Sequence, residues 1–341
     1  MVDAHPARRV VDILTGAWQA QALHAAATLR IPDHLHAGHT TTAALADATG
    51  CDKDAVERLM RLLTAMELFD GSGDAGYRLT EAGDLLRSDH ERSMRDMAVV
   101  YGQEFHRAWG SVVDAVRTGT SGFEHAFGTP LRAHLAADPE AASRFQRAMN
   151  AGNVFFQDVA AAHDFSGART VVDVAGGAGS LLSAVLTVHP QLHGVLFDLP
   201  HVVPVAEAAL GRALGADRYE IVAGDVFETV PGGADVYLLS RVLQDWDDAH
   251  CLRMLSVLRA AMPPSGRLLI VERVIPDPDE QDAPLLPLLW DLHLLMAAGG
   301  RERTLAGYRA LFSGAGLRLS TVHHLALETD LLVVETAEVA R

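Results

Sequence analysis

The sequence predicts an α/β protein: a doubly wound parallel sheet preceded by a smaller, mainly helical domain. Three observations predict it. First, in Val171-Val172-Asp173-Val174-Ala175-Gly176-Gly177-Ala178-Gly179-Ser180 an apolar strand ends beyond a carboxylate and turns through glycines. It then enters an amphipathic helix marked by Leu181, Leu182, Val185 and Leu186. Second, strands alternate from Arg169 onward with stretches long enough for crossover helices. Third, two more acids close later strands: Asp198 ends Val195-Leu196-Phe197, and Asp225 follows Ile221-Val222-Ala223-Gly224.

The first hundred residues read as helices plus a small hairpin. Val10 to Leu29 carries Val11, Leu14, Trp18, Ala22 and Ala25 at helical spacing. Thr40-Thr41-Thr42 offers an N-cap for a helix over Ala43 to Thr49. Lys53 to Met66 is a second amphipathic helix through Val56, Leu59, Leu62 and Leu63. Leu68 to Leu79, punctuated by Gly71, Gly73 and Gly76, reads as a two-stranded wing. The whole is a winged-helix pattern, whose two readings are DNA recognition and dimerisation. Asp54, Glu57 and the overall acidity favour dimerisation.

A helical bridge follows over Met94 to Thr118 and Glu140 to Ala162. Its stripe of Tyr101, Phe105, Trp109, Phe145, Met149, Asn150, Asn153 and Phe156 reads as core or as pocket lining. The sheet strands are then Thr170–Val174, Val195–Asp198, Tyr219–Ala223, Val236–Ser240 and Leu268–Glu272, with Leu317–His323 and Leu331–Glu335 completing it. The predicted division is a winged-helix-like domain over 1–100 and a bridge plus ligand-binding domain over 101–341.

The glycine turn places a ligand at the carboxyl end of the first sheet strand, where open α/β sheets bind nucleotides. A dinucleotide fingerprint wants a third glycine where Leu182 stands, and a phosphate loop wants a lysine. The only lysine in the chain is Lys53, far upstream, and Asp173 would repel a pyrophosphate. An adenosine without phosphates fits better, its ribose diol gripped by Asp198.

Composition narrows the class further. At 341 residues the chain has ample core for two domains. A net charge of −16 opposes nucleic-acid binding, which needs a basic face. The greasiest window, Leu285 to Ala298, contains Pro287, Asp291 and His293 and reads as a buried or pocket-lining helix, not a membrane span. No basic region followed by an apolar run opens the chain, so a cytoplasmic protein is expected. Cys51 and Cys251 then read as reduced thiols. Cys251 beside His250 reads either as a thiol–imidazole pair or as a buried small residue next to a solvated one, and the second is preferred.

These residues resemble the S-adenosylmethionine-dependent O-methyltransferases that carry an N-terminal winged-helix dimerisation domain. Plant caffeate-type enzymes and bacterial polyketide- and antibiotic-tailoring enzymes belong to that family. The resemblance runs nearly end to end. It rests on Asp173 to Gly179, Phe197-Asp198-Leu199-Pro200-His201-Val202, Gly224-Asp225-Val226-Phe227, Arg241 to Asp248, and Gly299-Gly300-Arg301-Glu302-Arg303-Thr304, in that order. It implies a Rossmann-like methyltransferase sheet with an antiparallel last strand, S-adenosyl-L-methionine as methyl donor with S-adenosyl-L-homocysteine as its product, and a homodimer formed through the N-terminal domain.

The resemblance also implies residue roles. Asp173, Gly176 and Gly177 would line the methionine end of the cofactor. Asp198 and Leu199 would hold the ribose, and Asp225, Val226 and Phe227 would bracket the adenine. The alternative for Asp225 is a turn or N-cap acid. Ser240 and Arg241 would touch the cofactor again. The bridge helices roof the acceptor cavity in this family, which makes Met149 and Asn153 pocket candidates together with Trp246, Trp290, His293 and Met296.

One position departs from the plant-type pattern. Those enzymes have a histidine base just before the Asp-Trp pair, and here that position is Gln244. Glutamine only hydrogen-bonds at neutral pH. Asp245, Glu272 and Glu302 match acids that surround the missing histidine. Three readings follow. In the leading one the acceptor needs little help: proximity alone supplies about 7–11 kcal/mol, against roughly 4 kcal/mol for ionising an ordinary phenol at neutral pH. In the second, His293 serves as base, with a variant in which it binds a metal beside Asp291, as in a C-methylating relative. In the third, the cofactor is bound but the chemistry is hydroxylation, decarboxylation or cyclisation. A non-catalytic winged-helix regulator is a separate class, disfavoured by the pocket-like C-terminal region. The resulting expectation is a methyltransferase for a hydroxyl or carboxyl of a small aromatic natural-product intermediate. Gln244 would orient the acceptor, Asp245, Glu272 and Glu302 would support it, and no metal is expected.

Overall fold

The computed structural model describes residues 5–277 and 284–337. They divide into two compact units, residues 5–114 with 122–153, and residues 115–121 with 154–277 and 284–337. Most of the bridge therefore groups with the N-terminal helices. No helix among the described residues is long and apolar enough to cross a membrane.

In the first unit, Pro6–Thr28 is a long helix that starts at a proline, as helix starts favour. Thr42–Thr49 is capped by the Thr41 hydroxyl, which accepts the Ala44 N–H at 3.2 Å. Lys53–Ala65 is capped in the same way by Asp52, which accepts the Ala55 N–H at 2.9 Å. Strands β1 (Phe69–Ser72) and β2 (Gly76–Leu79) form the expected antiparallel wing. Ala26, Ile31, Leu45, Met60, Leu63, Phe69 and Tyr77 make its core. On the first helix Val10, Ile13, Leu14 and Trp18 stay 58–70% exposed although they are apolar.

The bridge differs from the expected pair of long helices. Arg95–Val100 passes into a π-helical turn, Tyr101–Phe105, and then into His106–Trp109 before a break ahead of Val112–Thr118. A Cβ at Gly102 would collide with the His24 side chain, so this turn is shaped by close packing. The second segment splits into Pro139–Ala151 and Phe156–Ala162 around Gly152. Short helices Gly122–Phe127 and Leu131–Ala137 fill the stretch between the two segments.

The second unit holds a seven-stranded sheet. Its strands are β3 (Thr170–Val174), β4 (His193–Asp198), β5 (Tyr219–Ala223), β6 (Val236–Ser240), β7 (Arg267–Glu272), β10 (Leu317–Leu325) and β11 (Thr329–Thr336). A small parallel pair, β8 (Val274–Ile275) and β9 (Arg303–Thr304), lies outside it. The order is β10-β11-β7-β6-β3-β4-β5, parallel from β7 to β5. β11 runs antiparallel to both β7 and β10, as expected for the end of this sheet. The strand order reverses at β3, which opens a crevice at its carboxyl end.

Alternating residues serve the two faces of the sheet. Val172, Val174, Tyr237, Leu239, Leu268 and Ile270 pack with Met254, Leu258 and Phe312 of the Asp248–Ala261 and Leu305–Gly314 helices. Val171, Leu196, Leu238 and Leu269 pack with Leu182, Val185 and Leu210 of the Ser180–Val188 and Val203–Ala213 helices. Burial on both sides explains why these strands read as near-continuous apolar runs.

Candidate active site

The crevice at the carboxyl end of β3 is built by glycine. Gly177 and Gly179 take φ of 59° and 77°, the left-handed region that glycine tolerates. A Cβ added at Gly177 would meet nothing within 4 Å, so a ligand can approach its backbone closely. At Gly176 a Cβ would lie 2.7 Å from the Asp173 carboxyl carbon, so a side chain is excluded there by its own strand. Asp173 is buried and accepts the Leu182 N–H at 3.3 Å. Burial, with the nearby Asp198 charge, pushes its carboxyl up to about 7 against one backbone hydrogen bond.

Asp198 closes β4 beside this turn. Its two oxygens accept the Gly177 N–H at 2.8 Å and the Leu199 N–H at 2.7 Å. A carboxylate offers about four acceptor sites, so capacity remains for a diol. Asp225 is a turn acid, accepting the Phe227 N–H at 2.9 Å, and this geometry places Val226 and Phe227. The Phe227 ring meets Trp246 edge-on, centroids 4.9 Å apart, and Trp246 tilts against His250 at 5.3 Å. Trp246 thereby connects the Asp225 turn with the segment that follows Gln244. The Ser240 hydroxyl is buried without a hydrogen-bond partner at the end of β6. Arg241 follows at φ 55°, strained for a non-glycine residue, and donates its N–H to the Val271 carbonyl at 2.8 Å. An acid at the end of β4, a close-approach glycine turn and an unsatisfied hydroxyl at the end of β6 are features that S-adenosylmethionine could use.

A second cluster lies one turn further along. Residues 243–245 form a 3-10 turn after β6. Glu272, at the end of β7, holds that turn by accepting the Val242 and Leu243 N–H groups at 3.0 and 2.8 Å through Oε1. Arg303 holds it from the other side, donating to the carbonyls of Leu243 at 2.9 Å and Trp246 at 2.7 Å. Gln244 is buried between them, and its Oε1 has no hydrogen-bond partner. Its backbone carbonyl accepts the Arg301 N–H at 2.9 Å. Gly300 permits this approach, because a Cβ there would sit 2.5 Å from the Gln244 carbonyl oxygen. Glu302 follows directly, buried, its N–H donated to Asp291 at 2.8 Å. Asp245 points outward but its charge reaches both glutamates.

Burial raises both glutamates. Glu272 is pushed well above the carboxylate range by burial, then by Glu302 and Asp245. Burial pushes Glu302 up to about 7, opposed by Arg273 and Arg241. His293 moves the other way, down to about 4, through burial and the two arginines. This opposes the reading of His293 as a base, because a weakly basic imidazole gains little by taking a proton at neutral pH. His293 packs edge-on against Trp290 at 5.4 Å, and Met296 is fully buried on the same helix, Leu285–Ala297. Among the described residues no group of three or more His, Cys, Asp or Glu is arranged to hold a metal ion.

Met149 lies on the Pro139–Ala151 helix and Asn153 just beyond it, both in the first unit. Every other candidate residue belongs to the second. Cys251 does not pair with His250. Its thiol donates to the Leu243 carbonyl at 3.3 Å and burial pushes it up to about 11, while His250 bonds Asp247 at 2.8 Å. Sequence reasoning missed Arg273, which is buried 4.0 Å from Glu302 with its guanidinium 4.5 Å above the Trp290 ring. It also assigned no role to Arg303, although the Arg301-Glu302-Arg303 run was part of the resemblance.

Known proteins resemble this chain in sequence and fold. Residues 109–318 match the O-methyltransferase domain family, and residues 11–89 match the O-methyltransferase dimerisation domain. The chain is 43% identical over 328 residues to 3-amino-4-hydroxybenzoate 4-O-methyltransferase of Streptomyces cremeus, covering 95% of this chain and 89% of that one. The structure of the pyocyanin biosynthetic protein PhzM superposes with a TM-score of 0.88 at 38% identity, covering 97% of this chain and 99% of that one. An O-methyltransferase from neocarzinostatin biosynthesis, solved with S-adenosylmethionine and 2-hydroxy-5-methyl naphthoic acid, gives 0.78 at 32% identity, covering 98% and 100%. End-to-end coverage at these identities, over both domains, shows that the chain belongs to the S-adenosylmethionine-dependent O-methyltransferases with an N-terminal dimerisation domain.

Proposed function

We propose that this enzyme methylates a hydroxyl or carboxyl oxygen of a small aromatic acid or phenol on the way to a natural product, as a homodimer joined through its N-terminal domain. The observation that carries the reading is Gln244: a buried amide with an unsatisfied Oε1, held rigid where the plant-type relatives keep a histidine. Such a group accepts a hydrogen bond from an acceptor hydroxyl and fixes its direction. The hydroxybenzoate and naphthoic acid named for two relatives support an aromatic acceptor of this size. The exposed apolar face of the first helix, within the stretch that matches the dimerisation domain, supports the homodimer.

Bound S-adenosylmethionine supplies a methyl group made electrophilic by its sulfonium. Asp173, Gly176 and Gly177 would line its methionine end, Asp198 and Leu199 its ribose, and Asp225, Val226 and Phe227 its adenine. Ser240 and Arg241 would close the crevice from β6. Trp246, Trp290, His293 and Met296 would wall the acceptor. Orientation and exclusion of water then carry most of the rate.

The test is turnover of methyl-labelled cofactor against a panel of hydroxybenzoates and hydroxynaphthoates. Gln244→Ala should lower kcat/KM about tenfold, the value of one lost orienting hydrogen bond, with adenosylhomocysteine affinity unchanged. Label that never reaches an acceptor that is nevertheless transformed would transfer the enzyme to non-methylating tailoring chemistry.

A further inference from the structure

We propose that Glu302 is the proton acceptor of the reaction, taking the hydroxyl proton of the substrate from a carboxylate seated between the Gln244 turn and the helix that carries His293. The inference rests on the reading above, in which a hydroxyl is methylated beside Gln244. Methylating a neutral hydroxyl releases a proton, and the site must place it. Gln244 cannot take it. His293 is too weak a base at neutral pH. Asp245 is exposed, and Glu272, although its Oε2 is unpartnered, is tied to the turn through two backbone N–H groups on Oε1.

Glu302 differs from each of these. Both of its carboxylate oxygens are buried without a hydrogen-bond partner. The nearest cation, the Arg273 guanidinium, stands at 4.0 Å, beyond hydrogen-bond reach. The backbone on either side of its side chain is pinned: Arg301 N–H to the Gln244 carbonyl, Glu302 N–H to Asp291. These pins hold Glu302 next in sequence to the residue bonded to the Gln244 turn, so a hydroxyl that docks with its proton on Gln244 Oε1 turns that single proton to the carboxylate for the reaction. An unsatisfied buried acid costs stability, and it persists in sites where a ligand completes it.

Every charged neighbour bears on its titration. Arg273 and Arg241 favour the carboxylate, Asp291 and Asp245 oppose it, and Glu302 in turn raises Glu272 and the buried Tyr308 hydroxyl. Burial dominates and leaves Glu302 near 7, where a base is about half ionised and most effective. In the step, the acceptor O–H bond breaks and its proton passes to a Glu302 oxygen. The acceptor oxygen forms its bond to the methyl carbon as the carbon–sulfur bond breaks, and the sulfur leaves as a neutral thioether. The proton returns to water when the site opens.

The experiment compares the full chain with Glu302→Gln and Glu302→Asp. Calorimetry with adenosylhomocysteine should give the same affinity within about twofold. An infrared titration of the free protein in the Asp173→Asn background, which removes the other buried carboxyl near 7, should show a buried carboxyl changing state near neutrality that disappears when Glu302→Gln is added. With a phenolic substrate from the panel, kcat/KM of the parent should fall about tenfold per pH unit on the acid side. Glu302→Gln should lower kcat at least about a hundredfold and erase that slope with little change in KM, and Glu302→Asp should recover part of the loss. A slope or rate like the parent's in Glu302→Gln, or an infrared signal that survives it, overturns the assignment. Adenosylhomocysteine bound with no phenol ever methylated removes the hydroxyl-acceptor reading instead, and this assignment with it.

Discussion

The Asp198 carboxylate accepts the Gly177 N–H at 2.8 Å and so ties the tip of β4 to the glycine turn that leaves β3. One side chain thereby shapes the turn, and it is the carboxylate proposed above to hold the ribose.

Asp198→Ala is expected to cut both ties. Adenosylhomocysteine affinity should fall about 10- to 100-fold, the range for losing a charge-assisted hydrogen bond of about 1.5–3 kcal/mol. Calorimetry reads this directly, and an unchanged Kd would remove Asp198 from the cofactor site.

Asp173 makes the free protein sensitive to alkali. Its folded-state value of about 7 lies above the unfolded 3.8, so the folded form holds a proton the unfolded chain has lost. The stability this contributes is complete below the unfolded value and is lost as pH rises through about 7. The Tm of the free protein should therefore drop by several degrees from about pH 5 to about pH 8, and Asp173→Asn should flatten the drop. Identical slopes for the two proteins would contradict the buried-acid picture.

His293 should leave the pH profile alone. An imidazole held down near 4 stays neutral throughout the working range. Changing it to Gln should shift kcat/KM through acceptor fit, with the acid-side midpoint preserved to within about 0.3 pH units. Loss of that limb in His293→Gln would return the base role to the imidazole.

Arg303 is the brace of the Gln244 turn. Replacing it with Met keeps most of the apolar stem but abandons the Leu243 and Trp246 carbonyls and the Asp248 carboxylate at 2.8 Å. Unsatisfied buried acceptors cost about 1–3 kcal/mol each, so denaturant unfolding should show a loss of about 2–4 kcal/mol. A loss under 1 kcal/mol would mean water substitutes for the guanidinium.

The sheet was legible because its strands are buried on both faces and its acids stand at strand ends. Asp173, Asp198 and Asp225 could be found by position alone. The bridge was not legible at the same resolution. Its π-helical turn is set by Gly102 against His24, a contact some eighty residues apart in sequence, and no local periodicity encodes it. Arg273 was hidden for a related reason. An arginine at a strand end reads as solvated until Trp290 and Glu302, both distant in sequence, are seen to enclose it. The edge-on contact of Trp246 with Phe227 was hidden in the same way, because the two are distant in sequence.

Trp18 sits 69% exposed on the apolar face of the first helix. An indole moving from water into a subunit contact changes its emission colour. A dilution series followed by fluorescence would thus report assembly without any added dye. Trp18→Phe would silence the signal and leave the adhesive face nearly as greasy as before.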